Sequence, residues 1–254
     1  MRLDVLAKRA RFVTRGRIAR HEHLYFPLVG LKPRHEEGPR PVTRDVDIVV
    51  EGYPRSGNSF AYYALQIAHE SRGGLRIAHH LHAPAQLSRA ARLGIPAVLL
   101  LRSPLDAAAS FAQREPAIGG ALALAYWVRF HEDVLPYADS YVIAPFPDVT
   151  SDFGKVIARV NARFATDFLP FDHTEANVAA CFRRVETRNA ELLGRSEPAE
   201  HMVSRPSAER RQMRSETYRE FEHPRLRQLR RRADEVFAEL SRLAGESGLS
   251  RGAS

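Results

Sequence analysis

Residues 46–60 read Val46-Asp47-Ile48-Val49-Val50-Glu51-Gly52-Tyr53-Pro54-Arg55-Ser56-Gly57-Asn58-Ser59-Phe60, a strand, a loop and the start of a helix in immediate succession. The first five residues are a short β-branched run, which predicts a buried strand. Gly52 to Gly57 then supply the frame of a phosphate-binding loop: Gly, four residues, Gly, and two polar residues, Asn58 and Ser59. A helix is predicted from about Asn58 to His69, with Phe60, Ala64, Leu65 and Ile67 at its apolar positions. In such a strand–loop–helix unit, successive backbone N–H groups point at one spot, and the helix dipole adds positive potential there. The lysine that usually follows the second glycine is absent, and Asn58 stands in its place. Arg55 is then the fixed cation inside the loop. The expectation is an anion site; a plain strand-to-helix turn with a glycine at positive φ is the other reading of the same residues.

Working outward, a strand is predicted over Leu75–Ala78, leading into His79-His80-Leu81-His82. A helix from Ala85 to Leu93 stops at Gly94, and Ala97–Leu101 is a fully apolar strand. Pro104 opens a helix through Gln113, as proline does at a first helical position. A helix over 121–135, a strand over Tyr141–Ala144 and an amphipathic helix over Val149–Phe164 follow. Further helices are predicted over Glu175–Leu193 and Pro224–Leu243. Strands alternating with helices predict an α/β fold, a parallel sheet flanked by helices, with a helical C-terminal part. Residues 1–45 read as a basic, partly irregular lead-in, punctuated by Pro27, Pro33, Pro39 and Pro41, with a short basic helix near its start. Residues 46–247 form one domain, and 248–254 a frayed tail.

The strand Ala97–Leu101 ends in Arg102, where a nucleotide triphosphatase would want an acidic metal ligand. Ser110 lies eight residues on, on the next helix. A guanidinium fork and a hydroxyl suit a second phosphate. In open α/β sheets ligands sit at the carboxyl ends of the strands, where this arginine and the first loop would both lie. The alternative is a surface arginine and a helix serine with no ligand.

Together these residues resemble the sulfotransferase family that uses 3′-phosphoadenosine 5′-phosphosulfate. That family's loop, Tyr-Pro-Lys-Ser-Gly-Thr-Thr-Trp, is similar to Tyr53-Pro54-Arg55-Ser56-Gly57-Asn58-Ser59-Phe60. Its second motif, a strand followed by Arg, Asp or Asn, Pro and a helical Ser, is similar to Leu99-Leu100-Leu101-Arg102-Ser103-Pro104 with Ser110. Phe146-Pro147-Asp148-Val149 resembles its Phe-Glu-Asp-Leu segment, so the likeness spans about residues 46–165. The departures are Arg55 for Lys, Asn58-Ser59 for Thr-Thr, and Phe60 for Trp.

The resemblance implies a phosphate-loop-kinase-like sulfotransferase fold and transfer of a sulfuryl group to an acceptor hydroxyl, with no metal. It implies that Arg55, Ser56, Gly57, Asn58 and Ser59 hold the 5′-phosphosulfate. Arg102 and Ser110 would hold the 3′-phosphate, and Phe60 would face the adenine. Arg205 is the nearest match to the family's C-terminal Arg-Lys-Gly segment. The family places a histidine base after the second strand; His79, His80 and His82 occupy that region, and the usual spacing points to His80, with His82 next. A metal pair from His80 and His82 is the rival use, with no acidic or Cys partner nearby. The helix carrying Tyr126, Trp127 and His131 either lines the acceptor pocket or belongs to the core. A kinase using ATP and Mg²⁺ and a non-catalytic nucleotide- or polyanion-binding module are the competing functional classes.

Composition narrows the remaining classes. The chain has 254 residues, 44% hydrophobic and 27% charged, which excludes a disordered or fibrous protein. One cysteine, Cys181, excludes an intramolecular disulfide and a cysteine-rich zinc module. The net charge is +8, with arginine spread along the whole chain rather than gathered in one block, so no nucleic-acid partner is expected. The basic N-terminal helix allows contact with a membrane surface. No apolar signal core follows the first basic residues, which makes the cytoplasm the expected location. The acceptor, whether carbohydrate, lipid or small molecule, is left open.

Overall fold

The computed structural model describes residues 3–31, 38–193 and 216–249. Helices α1 (Leu3–Ile18) and α2 (Glu22–Gly30) precede strand β1 (Ile48–Gly52) and helix α3 (Asn58–Ala68). Then come β2 (Ile77–His79), α4 (Pro84–Leu93), β3 (Ala97–Leu101), α5 (Pro104–Arg114) and α6 (Gly120–Val134). Strand β4 (Val142–Pro145) leads directly into α7 (Phe146–Ser151), α8 (Phe153–Phe164) and α9 (Glu175–Leu193). A helix over 216–222, α10, and α11 (Arg227–Leu249) complete the described chain.

The four strands form one parallel sheet in the order β2-β1-β3-β4. Every residue of β1 and β3 is buried, as a sheet covered on both faces requires, and this is why β3 reads as a continuous apolar run and β1 as one broken only by Glu51. Side chains alternate across the sheet. Val49, Leu99 and Ile143 face the layer of α4, α5, α6 and α11. Ile48, Val50, Val98, Leu100 and Val142 face α3, α8 and α9. The chain leaves β1 toward β2 on one side and returns to β3 on the other. The strand order therefore reverses at β1, and the carboxyl ends of β1 and β3 flank the crevice where such sheets bind ligands.

The α/β architecture and helical C-terminal part are those expected, with local differences. Strand β1 starts two residues late, because Val46 N–H bonds to Thr43 O in a turn, 3.3 Å. Strand β2 begins at Ile77, since the Gln66 side chain takes both backbone groups of Leu75. The single helix expected over 149–164 is two helices broken at Asp152. That residue is extended (φ −158°), and its carboxylate caps Lys155 N–H at 3.3 Å. An N-cap bond of this kind competes with helix continuation and wins here.

The largest difference lies at the N-terminus. Residues 3–31, expected as a partly irregular lead-in, form two helices built onto the sheet domain. Arg9 Nε donates to Ala117 O (2.6 Å), Arg15 to Leu81 O (2.9 Å) and Tyr25 Oη to Leu81 O (3.3 Å). Lys8 pairs with Glu115 at 2.7 Å and Arg20 with Asp133 at 3.1 Å. Gly16 is required where α1 crosses Tyr126, since a Cβ there would meet that ring at 3.2 Å. Farther along, Arg40 forms an antiparallel bridge to His79. The lead-in folds onto the body because Phe12, Ile18, Tyr25, Phe26 and Val29 all find apolar partners there.

Candidate active site

The loop after β1 is held from inside. Ser56 N–H bonds to Tyr53 O at 3.2 Å, and the Asn58 side-chain amide donates to the same carbonyl at 3.0 Å. Asn58, in place of lysine, is thus a buried brace of the loop rather than a charge. Tyr53 is fully buried, and its hydroxyl donates to Ala123 O on α6 at 2.9 Å, anchoring the start of the loop. Arg55 and Gly57 take left-handed backbone conformations, φ 71° and 93°. A Cβ on Gly57 would lie 3.3 Å from Val149 on α7, so position, as well as φ, calls for glycine. The Ser56 hydroxyl is buried and, among the described residues, has no hydrogen-bond partner, leaving a donor at the loop for a ligand.

Tertiary structure brings the two sequence motifs together. Arg55 Nε donates to Ser110 Oγ on α5 at 3.1 Å, and Arg102 Nη1 donates to the Arg55 carbonyl at 2.7 Å. The Arg102 guanidinium also lies 4.4 Å over the Phe146 ring, and Trp127 Nε1 donates to Arg102 O at 3.2 Å. Two guanidinium groups and a serine hydroxyl converge on the crevice from loops 47 and 55 residues apart in sequence. Phe60, in the first turn of α3, lines the same cavity, its ring 5.8 Å from Phe182 and 5.9 Å from Phe171. Arg205 lies outside the described residues.

His80 and His82 both have left-handed backbones, φ 58° and 48°, which costs a non-glycine residue about 1–2 kcal/mol each. His80 Nε2 is 3.0 Å from Ser59 Oγ, and its Nδ1 is 2.6 Å from His79 Nδ1. His82 Nδ1 is 2.8 Å from Gly52 O, and its backbone carbonyl accepts from Tyr126 Oη at 2.5 Å. Burial pushes the pKa of His80 well below the ordinary histidine value, and the neighbouring His79 and His82 push it further. Among the described residues no group of three or more His, Cys, Asp or Glu side chains is placed to hold a metal ion.

The loop, His80, His82 and Arg102 open on a cavity of about 1220 Å³. Its far wall is made by α1 and α2 (Phe12, Ile18, Tyr25, Val29) together with Tyr126. Trp127 and His131, the other residues singled out on that helix, are fully buried core. Reading the sequence missed the N-terminal wall and the buried carboxylate of Glu51. It also missed the contact of Phe146 with Arg102. A charged residue inside the apolar run of β1 was the available signal for Glu51.

Three histidines kept neutral by burial make folding sensitive to acid: His80, described above, and the fully enclosed His131 and His79. His131 Nδ1 donates to Trp127 O at 2.8 Å, and among the described residues its Nε2 has no partner. Burial lowers its pKa to about 3. His79 falls to about 3 as well, through burial first, then Arg188, Arg40 and His82. Both stay neutral in the folded chain while the unfolded chain takes up protons below pH 6.5. Their stability contribution is therefore complete above pH 6.5 and is lost as pH falls toward 3. Each costs about 1.4 kcal/mol per pH unit inside that window. Urea unfolding between pH 6.5 and 5, before ordinary carboxylates titrate, should show this slope. His131→Gln should remove about one proton's worth of it, and an unchanged slope would contradict the assignment.

No protein-family model matches the chain, and no curated protein does. Among solved structures it is similar to mouse sulfotransferase SULT7A1 complexed with PAP, at 15% identity, covering 81% of this chain and 90% of that one, with a TM-score of 0.41.

Proposed function

We propose that the protein transfers a sulfuryl group from 3′-phosphoadenosine 5′-phosphosulfate to an acceptor hydroxyl. The observation that carries this reading is the meeting of Arg55, Arg102 and Ser110 at the carboxyl ends of β1 and β3. They come from the two motifs that resemble the donor-binding segments of that sulfotransferase family. The donor carries a 3′-phosphate and a 5′-phosphosulfate, and Arg55, bonded to Ser110, stands between the groups we assign to each. The loop N–H groups, the Ser56 hydroxyl, Ser59 and Arg55 take the 5′-phosphosulfate; Arg102 and Ser110 take the 3′-phosphate. Phe60, on the cavity wall, would face the adenine.

In the reaction, the acceptor oxygen forms a bond to sulfur while the bridging S–O bond to the 5′-phosphate breaks. That electron pair goes to the phosphate oxygen, where Arg55 and the loop amides stabilise it. The acceptor proton goes to a histidine of the 79–82 segment, His80 by spacing. No step requires a metal, since arginine stands where a metal-binding carboxylate would be needed.

Incubation with labelled donor and a panel of hydroxyl acceptors, in excess chelator, tests the reading. Transfer of label is expected. Strict dependence on Mg²⁺ with ATP as donor would instead make the protein a kinase, and tight nucleotide binding without turnover would make it a binding module. A second measurement isolates Arg102. The 3′,5′-bisphosphate product should bind better than AMP, because a charged hydrogen bond to the 3′-phosphate contributes about 1.5–3 kcal/mol. Calorimetry on Arg102→Ala should show most of that preference gone; equal affinity of the unaltered protein for both nucleotides would sink the assignment.

A further inference from the structure

Glu51 is a charged residue inside β1, with no side-chain exposure, in a strand that is otherwise apolar. Its Oε1 accepts from Gly52 N–H at 3.0 Å and lies 3.5 Å from His82 Nδ1. Among the described residues its Oε2 has no partner. Burying a carboxylate is costly unless a positive or donor group faces it, and His82 is the facing group. His82 Nδ1 can only donate to the Gly52 carbonyl, 2.8 Å away, so this nitrogen carries the proton and Nε2 keeps the lone pair. The ring is 21% exposed and lines the cavity. His80 is placed differently: Ser59 engages its Nε2 and His79 its Nδ1.

We propose that His82 takes the acceptor proton, that Glu51 is its positioning residue, and that His80 holds Ser59 at the donor loop. This rests on the sulfuryl-transfer reading and changes the histidine that spacing favours. The proton passes from the acceptor oxygen to His82 Nε2 as the O–S bond forms, and the imidazolium sits beside the Glu51 carboxylate until it releases the proton to solvent. The lowered pKa of His80 leaves it a poor proton acceptor, in keeping with the division of roles. Among the described residues, the other titratable and charged groups around the pair and its histidine neighbours are His79 and His80, Tyr126 on α6, Tyr25 on α2, Arg15 on α1, Arg114 on α5, Arg188 on α9 and Arg40.

Nitrogen-15 NMR of the histidine rings tests this without turnover. His82 should appear as the Nδ1–H tautomer, and Glu51→Gln should move its titration midpoint to lower pH. An Nε2–H tautomer, or no response to Glu51→Gln, overturns the proposal even if transfer occurs. With an acceptor from the panel, His82→Ala should lower kcat by about 10²–10⁴ with bisphosphate affinity unchanged. Glu51→Gln should shift the acidic limb of the kcat profile to lower pH. His80→Ala should chiefly raise the donor KM. A dead His80→Ala with an active His82→Ala overturns the proposal and leaves the sulfuryl-transfer reading standing.

A separate observation concerns the outer face of the same cavity. Among the described residues the exposed large apolar side chains are Leu3, Leu6, Leu24, Leu28, Leu31 and Tyr137, so five of the six belong to α1, α2 and the residue after it. Leu24, Leu28 and Leu31 recur at i, i+4 and i+7 and form one ridge. Leu28 belongs both to that ridge and to the cavity lining. The two helices also carry exposed Arg11 and Arg17, and residues 3–31 hold six basic side chains (Lys8, Arg9, Arg11, Arg15, Arg17, Arg20) against Asp4 and Glu22. An apolar ridge on a segment with excess positive charge complements an anionic bilayer.

We infer that α1 and α2 dock on an anionic lipid surface and that the acceptor hydroxyl belongs to an amphiphile entering the cavity past Leu28. The second clause rests on the transferase reading; the first does not. The full chain should co-sediment with vesicles of 70% phosphatidylcholine and 30% phosphatidylglycerol at least tenfold better than with phosphatidylcholine alone, and less as salt rises. The triple variant Leu24→Ser, Leu28→Ser, Leu31→Ser should lose this binding while keeping a cooperative thermal melt, because Leu24 and Leu28 are half exposed and Leu31 is 81% exposed. Arg11→Glu with Arg17→Glu should lose it too. Equal binding to both vesicle types, or full binding by the triple variant, overturns the inference, as does a self-associated protein that the triple variant makes monomeric.

Discussion

Arg55→Ala and Arg55→Gly should both lower sulfuryl transfer by about 10²–10³, the usual cost of removing one donor from a site where negative charge develops. They should part company in stability. Arg55 is held at φ 71°, a conformation that costs any residue with a Cβ about 1–2 kcal/mol and glycine almost nothing. Either variant loses the bond from Arg55 Nε to Ser110, but only glycine relieves the backbone. Arg55→Gly should therefore be about 1 kcal/mol more stable than Arg55→Ala while remaining as inactive. Arg55→Lys keeps the charge without the fork and should fall between the unaltered protein and Arg55→Ala in rate. Urea unfolding and single-turnover transfer on the three variants measure both effects. Transfer within a factor of a few of the native rate in Arg55→Ala would remove Arg55 from the reaction.

The second large effect is expected at Gly52, the last residue of β1. It pairs with Leu100 across the sheet, and a Cβ there would stand 2.7 Å from the Leu100 carbonyl oxygen and 2.9 Å from its Cβ. Neither atom is the free end of a flexible side chain, so β1 and β3 must separate. Overpacking of this kind costs about 1–3 kcal/mol. The displaced strand ends carry Arg55 on one side and Arg102 on the other. Gly52→Ala should consequently lose both stability and affinity for the bisphosphate nucleotide, and the loss of affinity should persist at low temperature where the variant is folded. A folded Gly52→Ala that binds the nucleotide normally would show that the spacing of the two strands does not set the site.

Much of the framework was legible locally. The strand Ala97–Leu101 was legible from its unbroken apolar residues, which a strand buried on both faces favours. Pro104 and Gly94 mark helix ends through their own backbone preferences, which no distant contact can override. The loop from Gly52 to Gly57 was legible for the same reason, since positive φ and close approach demand glycine. Boundaries drifted where a side chain substituted for backbone: Gln66 against Leu75, and Asp152 capping a helix that periodicity alone would continue.

Constraints acting within a few residues fixed the four strands and most of the helices around them, and they placed Arg55 and Arg102 just past the ends of β1 and β3. Tertiary structure alone decided which of those groups meet. Ser110 reaches Arg55 rather than standing with Arg102 alone because β3, which leads into α5, pairs directly with β1. Glu51 finds His82 because β2 lies beside β1, and the two left-handed residues at 80 and 82 turn the chain over the end of that strand. Helices α1 and α2 become a wall of the cavity because their apolar side chains have no partner in their own segment and must take one from Leu81, Phe111 and Tyr126. Contacts between segments distant in the chain depend on packing, and packing is a property of the whole fold.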